Sequence, residues 1–113
     1  AKFPSKGRYI VFSRHARPAD APSNVEFVND EIGPFINRLR QQPGKNIWLM
    51  GGGELIASFL DEHAIDEFVI TVMPVFIGDG IPLIGRRHRH TPLELQLVER
   101  FENGVVQLHY RVL

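Results

Sequence analysis

Residues 46–60 read NIWLMGGGELIASFL: an apolar run, three consecutive glycines, and then apolar residues at helical spacing. The pattern predicts a strand over 46–50 and a helix beginning at Glu54 or just before it, built on Leu55, Ile56, Phe59 and Leu60. Glycine has no Cβ to hold a phosphate or a ring away from the main chain, and it takes tight-turn conformations at little steric cost. The first N–H groups of a helix lack internal acceptors, so the positive end of the dipole faces whatever lies against the glycines. In one reading the junction is an anion site. In the other it is a tight strand-to-helix connection, where glycine only lets two elements approach closely.

Composition bounds what surrounds that junction. At 113 residues and 43% hydrophobic content, the chain fits a single domain, 1–113, large enough for a core. Thirteen basic residues balance thirteen acidic ones, so no global field draws the chain to nucleic acid or to an anionic membrane. The absence of cysteine excludes disulfides and thiolate metal sites and suits a reducing compartment. No apolar run approaches the ~20 residues that span a bilayer, and no long apolar core of a secretion signal stands at the beginning. The expectation is a soluble, cytoplasmic protein whose partner is a small molecule.

Outward from the glycines the chain alternates between element types. Residues 8–13 (RYIVFS) read as a short buried strand ending at Ser13 and Arg14, and 15–24 as a Pro-containing loop. Residues 25–28 add a very short strand, after which Asn29 or Asp30 offers a helix cap and Phe35, Ile36 and Leu39 an apolar stripe. Pro43-Gly44 ends that helix. Residues 66–77 (DEFVITVMPVFI) read as the longest strand, with Pro74 implying an edge position or a bulge. Residues 93–100 and 105–112 alternate in period two around Asn103-Gly104, a strong hairpin signal. Strands separated by helices should be parallel, because a parallel pair needs a crossover connection.

Three segments, NIWLMGGGEL, IDEFVITVMPVFIGDGIPLI and FENGVVQLHYRV, resemble in content and order the dihydrofolate reductase-like superfamily. The branch most similar is that of the reductase domain of bacterial riboflavin biosynthesis, and the resemblance runs from the RYIVFSR strand to the last residues. It implies an α/β, three-layer fold with a mixed, largely parallel sheet, flanking helices and a C-terminal antiparallel hairpin. It also implies an NADPH-dependent reductase that transfers hydride to a pterin, a flavin precursor or another small heterocycle. The first strand with an Ala- and Asp-containing substrate motif, and the Gly-Arg-Thr type cofactor contact, are missing. The chain is therefore expected to be an N-terminally truncated, partial version of the fold, either a fragment or a reduced form.

By the same resemblance Ser13 and Arg14 stand where the family contacts the ribose 2′-phosphate, a role that suits a hydroxyl beside a guanidinium. Gly51, Gly52 and Gly53, with the amides of Glu54, Leu55 and Ile56, match the segment that holds the pyrophosphate, and their Gly51–Gly52 peptide is expected to be cis. Met50 would lie at the floor of that site, against the nicotinamide or the substrate ring. Each has a plainer reading: a strand-end serine, a solvated arginine, a core methionine. Residues 86–90 (RRHRH) form a basic run that would either touch a substrate phosphate or remain a solvated loop. His15, His63 and His109 lack partners at metal-ligand spacing, so no metal site is expected. Asp79 reads as a turn residue, and no catalytic acid or base is assigned. Trp48 and Phe12, Phe27, Phe35, Phe59, Phe68 and Phe76 read as core packing. A homodimer sharing apolar strand or hairpin surface is expected, and the rival to a reductase is a non-catalytic dimerising or ligand-binding module.

Overall fold

The computed structural model describes residues 7–15 and 17–113, which form an α/β chain of five strands and two helices in two compact units. The first unit ends at Gln42 and the second runs from Pro43 to Leu113.

In the first unit β1 (Tyr9–Phe12) pairs in parallel with β2 (Val25–Val28), Tyr9 opposite Val25 and Phe12 opposite Val28. Both strands are β-branched and aromatic, and Val25 is completely buried with Ile36 of α1 (Ile32–Gln41). Phe12 meets Phe35 edge to face, centroids 5.3 Å apart. Arg17 organises the connection between the strands by donating to the carbonyls of Ala21, Pro22 and Val25. Arg8 of the strand entrance donates to Glu26 and to Gln42, and its guanidinium holds the Glu26 carboxyl below the usual carboxylate range. The cap of α1 differs from expectation. Glu31 takes the N-cap position without a side-chain bond, and the Asp30 carboxylate instead accepts from Arg38 at 3.0 Å.

In the second unit α2 (Gly53–Asp61) buries Ala57, Phe59 and Leu60. A three-stranded antiparallel sheet follows, in the order β3 (Glu67–Val72), β5 (Val106–Val112), β4 (Leu93–Arg100). Phe68, Ile70 and Val72 stand opposite Tyr110, Leu108 and Val106, which makes one face of the sheet apolar. A register irregularity between Leu95 and Leu97 shifts the second half of β4 by one residue, so Leu97 pairs with His109 while Val98 rejoins the apolar face opposite Leu108. Gly104, at φ 89°, makes the tight turn between β4 and β5.

Three expectations are overturned here. Residues 46–50 form no strand: the segment has no ladder partner among the described residues, and Trp48 is 83% exposed. A β-prone apolar run becomes a strand only when a neighbour takes up its N–H and C=O groups. The sheet is accordingly not largely parallel, since β1–β2 is the one parallel pair among the described residues. Finally, the strand drawn over 66–77 stops at Val72, before Pro74, which has no N–H to continue the ladder. Beyond it Val75, Phe76, Ile77 and Ile81 lie exposed, so Phe76, like Trp48, is not core.

Candidate functional site

The chain turns through Gly51, at φ 122°, and Gly52, with a cis Gly51–Gly52 peptide as expected, and enters α2 at Gly53. Gly52 is the N-cap, and its carbonyl accepts the first helical bond from the Ile56 N–H at 3.0 Å. The N–H groups of Gly53, Glu54 and Leu55 have no acceptor among the described residues. A Cβ built on Gly52 would meet nothing within 4 Å, and one on Gly51 only the end of the Ile56 side chain at 3.8 Å. The outer side of the turn is therefore bare backbone facing open space, and the helix end behind it offers three convergent donors. Met50, immediately before the turn, is 72% exposed and is no core methionine.

The inner side of the same turn is closed. A Cβ on Gly53 would stand 2.9 Å from the Pro82 carbonyl oxygen and 3.1 Å from that of Leu83. The Gly85 N–H donates to the Gly53 carbonyl at 2.9 Å, and a Cβ on Gly85 would fall 2.5 Å from a Glu54 carboxylate oxygen. Arg87 donates to Glu54 at 3.2 Å and to Asp61 at 3.1 Å, while Arg89 pairs with Asp61 and donates to the Ala57 carbonyl at 2.8 Å. Arg86, His88 and His90 of the basic run are exposed, as in a solvated loop, but the run is not free throughout. Two of its three arginines are bound to α2, and with Gly85 they wall a groove of about 220 Å³ floored by Leu60, Phe68, Ile70 and Leu93.

Ser13 and Arg14 close β1 in the first unit. The Ser13 N–H donates to Val28 at 2.8 Å, and its hydroxyl oxygen accepts from the His15 N–H at 3.1 Å, which shapes the turn. Arg14 is exposed and makes no ion pair among the described residues, so its guanidinium is available to a phosphate. Among the described residues no three His, Asp or Glu side chains group as metal ligands, and no helix is long and apolar enough to cross a membrane. Sequence reasoning missed Gly85, Arg87 and Arg89 as components of the glycine turn. The available signal was the placement of Glu54 and Asp61 seven residues apart, on one face of the helix.

The family model for the RibD C-terminal domain matches residues 5–107. The chain is 47% identical over 87 residues to the uncharacterized protein YwjB of Bacillus subtilis, covering 77% of this chain and 49% of that protein. It is 39% identical over 106 residues to the uncharacterized protein YyaP of the same organism, covering 94% and 55%. It therefore spans about half the length of the curated relatives it matches. Among solved structures, a protein from Shewanella sp. PV-4 named for riboflavin biosynthesis superposes with a TM-score of 0.84 at 27% identity, over 100% of this chain and 64% of that one. A pyrimidine reductase-like protein from Corynebacterium diphtheriae shares the fold, with a TM-score of 0.67 at 19% identity over 92% of this chain and 49% of that one.

Proposed function

The chain belongs to the RibD C-terminal domain family, and from that premise we propose that it forms the cofactor side of an NADPH-dependent reductase acting on a small heterocycle of the pterin or flavin-precursor type. The observation that carries this reading is the open amide end of α2 behind a side-chain-free turn. Three unpartnered N–H groups fit a pyrophosphate, whose oxygens need donors and whose bulk a Cβ would keep away. The exposed Arg14 fits a 2′-phosphate, and Ser13 sets the strand end on which it stands.

The bound nicotinamide would supply the hydride; the protein's part is positioning and electrostatics. Gly51, Gly52 and Gly53 admit the phosphate chain to the backbone, and the amides of Glu54, Leu55 and Ile56 complete the helix end, although the Ile56 amide already serves Gly52. Met50, exposed and polarisable, offers a face to an aromatic ring.

The exposed apolar residues of the sheet and of 73–83 favour a second reading, a non-catalytic dimerising or ligand-binding module. Calorimetric titration with NADPH, followed by NADPH consumption in the presence of dihydrofolate or a deaminated flavin precursor, separates the two. Binding with consumption is the expected result. Binding without consumption of any heterocycle leaves the module, and absence of binding removes the reductase reading.

A further inference from the structure

The arginines of the basic run contribute to the glycine turn without facing it. Glu54, Ala57 and Asp61 lie at i, i+3 and i+7, on one face of α2, and each accepts a guanidinium hydrogen bond or ion pair from residues 87–89. The contact reaches the helix start through the Gly85 N–H on the Gly53 carbonyl. The approach is close enough that a side chain at Gly53 would collide with backbone, and one at Gly85 would displace the Glu54 carboxylate. Charge adds a second consequence. Glu54 sits in the first turn, where its carboxylate favours the helix dipole but opposes an anion bound at the same end. Arg87, whose side chain is 33% exposed, pairs with that carboxylate, which is itself 77% exposed, so the pair is partly screened by solvent.

We propose that Arg87 is a positioning residue for the glycine turn. It holds residues 82–89 against α2 and neutralises Glu54, so that the Gly53, Glu54 and Leu55 amides face a pyrophosphate with no opposing charge. The inference rests on the cofactor reading above. It assigns Arg87 no contact with the ligand.

The test compares two ligands on the full chain by calorimetry: NADPH, and adenosine 2′-phosphate, which lacks the pyrophosphate. Arg87→Ala is expected to weaken NADPH about five-fold, the scale of one partly screened charge at a helix end, and to leave adenosine 2′-phosphate unchanged. Adding Glu54→Gln to Arg87→Ala is expected to recover most of that loss, because the uncompensated carboxylate is then gone. Equal weakening of both ligands would mark a merely structural role and overturn the inference, as would unchanged NADPH affinity or a double variant no better than the single. Should Arg87→Ala fail to fold, Glu54→Gln alone decides. Tighter NADPH binding, by about two-fold or more, supports the inference, and equal or weaker binding overturns it. A wild-type chain that binds adenosine 2′-phosphate but not NADPH, or neither, overturns the cofactor reading and this inference together. A wild-type chain that binds NADPH with an unresponsive Arg87 overturns the inference alone.

Discussion

Arg14 and Gly53 carry the sharpest consequences at the residue scale. Arg14 is exposed and without an internal ion pair among the described residues, so replacing it should leave the fold intact and remove only the proposed phosphate contact. Arg14→Ala should weaken NADPH relative to NADH by about 1.5 to 3 kcal/mol, the range of a charge-assisted bond. Calorimetry with both cofactors checks it, and equal losses would refute the role. Gly53 is constrained from the opposite side, by backbone. Gly53→Ala would ordinarily favour a helix by roughly 0.5 to 1 kcal/mol, yet its Cβ would press on the Pro82 and Leu83 carbonyl oxygens at 2.9 and 3.1 Å. Overpacking of this kind costs about 1 to 3 kcal/mol, so a net loss of stability is expected in urea unfolding. The glycines were legible in the sequence because three in succession between an apolar run and a helical pattern have a local meaning. Gly85, Arg87 and Arg89 were not, because their meaning is the identity of their partners on α2, and nothing in a basic run specifies which acid it will meet.

The elements show how far local pattern reaches. The β4–β5 hairpin was readable because its turn chemistry and period-two alternation are both local, and Gly104 supplies the positive φ the turn demands. Gly104→Ala should cost about 1 to 2 kcal/mol, measured as a lower urea midpoint. Across the same pair of strands, Arg111 and then Gln96 donate to Glu94 and hold its carboxyl below the usual range. A carboxylate whose folded pKa is depressed adds stability above the ordinary value of about 4.3 and loses it as the pH falls through the folded value. The urea midpoint should therefore drop on acidification below about pH 4. In Glu94→Gln the drop should be shallower; it should not vanish, because Glu26 is held down by Arg8 in the same way. An unchanged acid limb in that variant would remove the assignment. Residues 46–50 are the counter-example: β propensity predicted a strand, but ladder bonds are made with another segment, and none of the described residues provides one.

For the molecule as a whole, the governing fact is how much apolar surface remains uncovered. Trp48, Phe76 and Ile81 are almost wholly exposed, and Leu95, Leu97 and Val98 of the edge strand β4 are about half exposed. Surfaces of this kind, with unpaired strand edges, favour association. We expect self-association of the chain into a homodimer, visible by light scattering at about tens of micromolar, a working range for an interface of ordinary size. A stable monomer there would overturn it. Alternation, helical spacing and turn residues act between neighbours along the chain, and they determined the hairpin, both helices and the bare glycine turn before α2. The tertiary structure decided which apolar residues are core, as Ala57 is and Trp48 is not, whether residues 46–50 join a ladder, and that the basic run closes on Glu54 and Asp61. Each of these depends on a partner distant in sequence, and burial, ladder hydrogen bonds and ion pairs exist only once that partner has arrived.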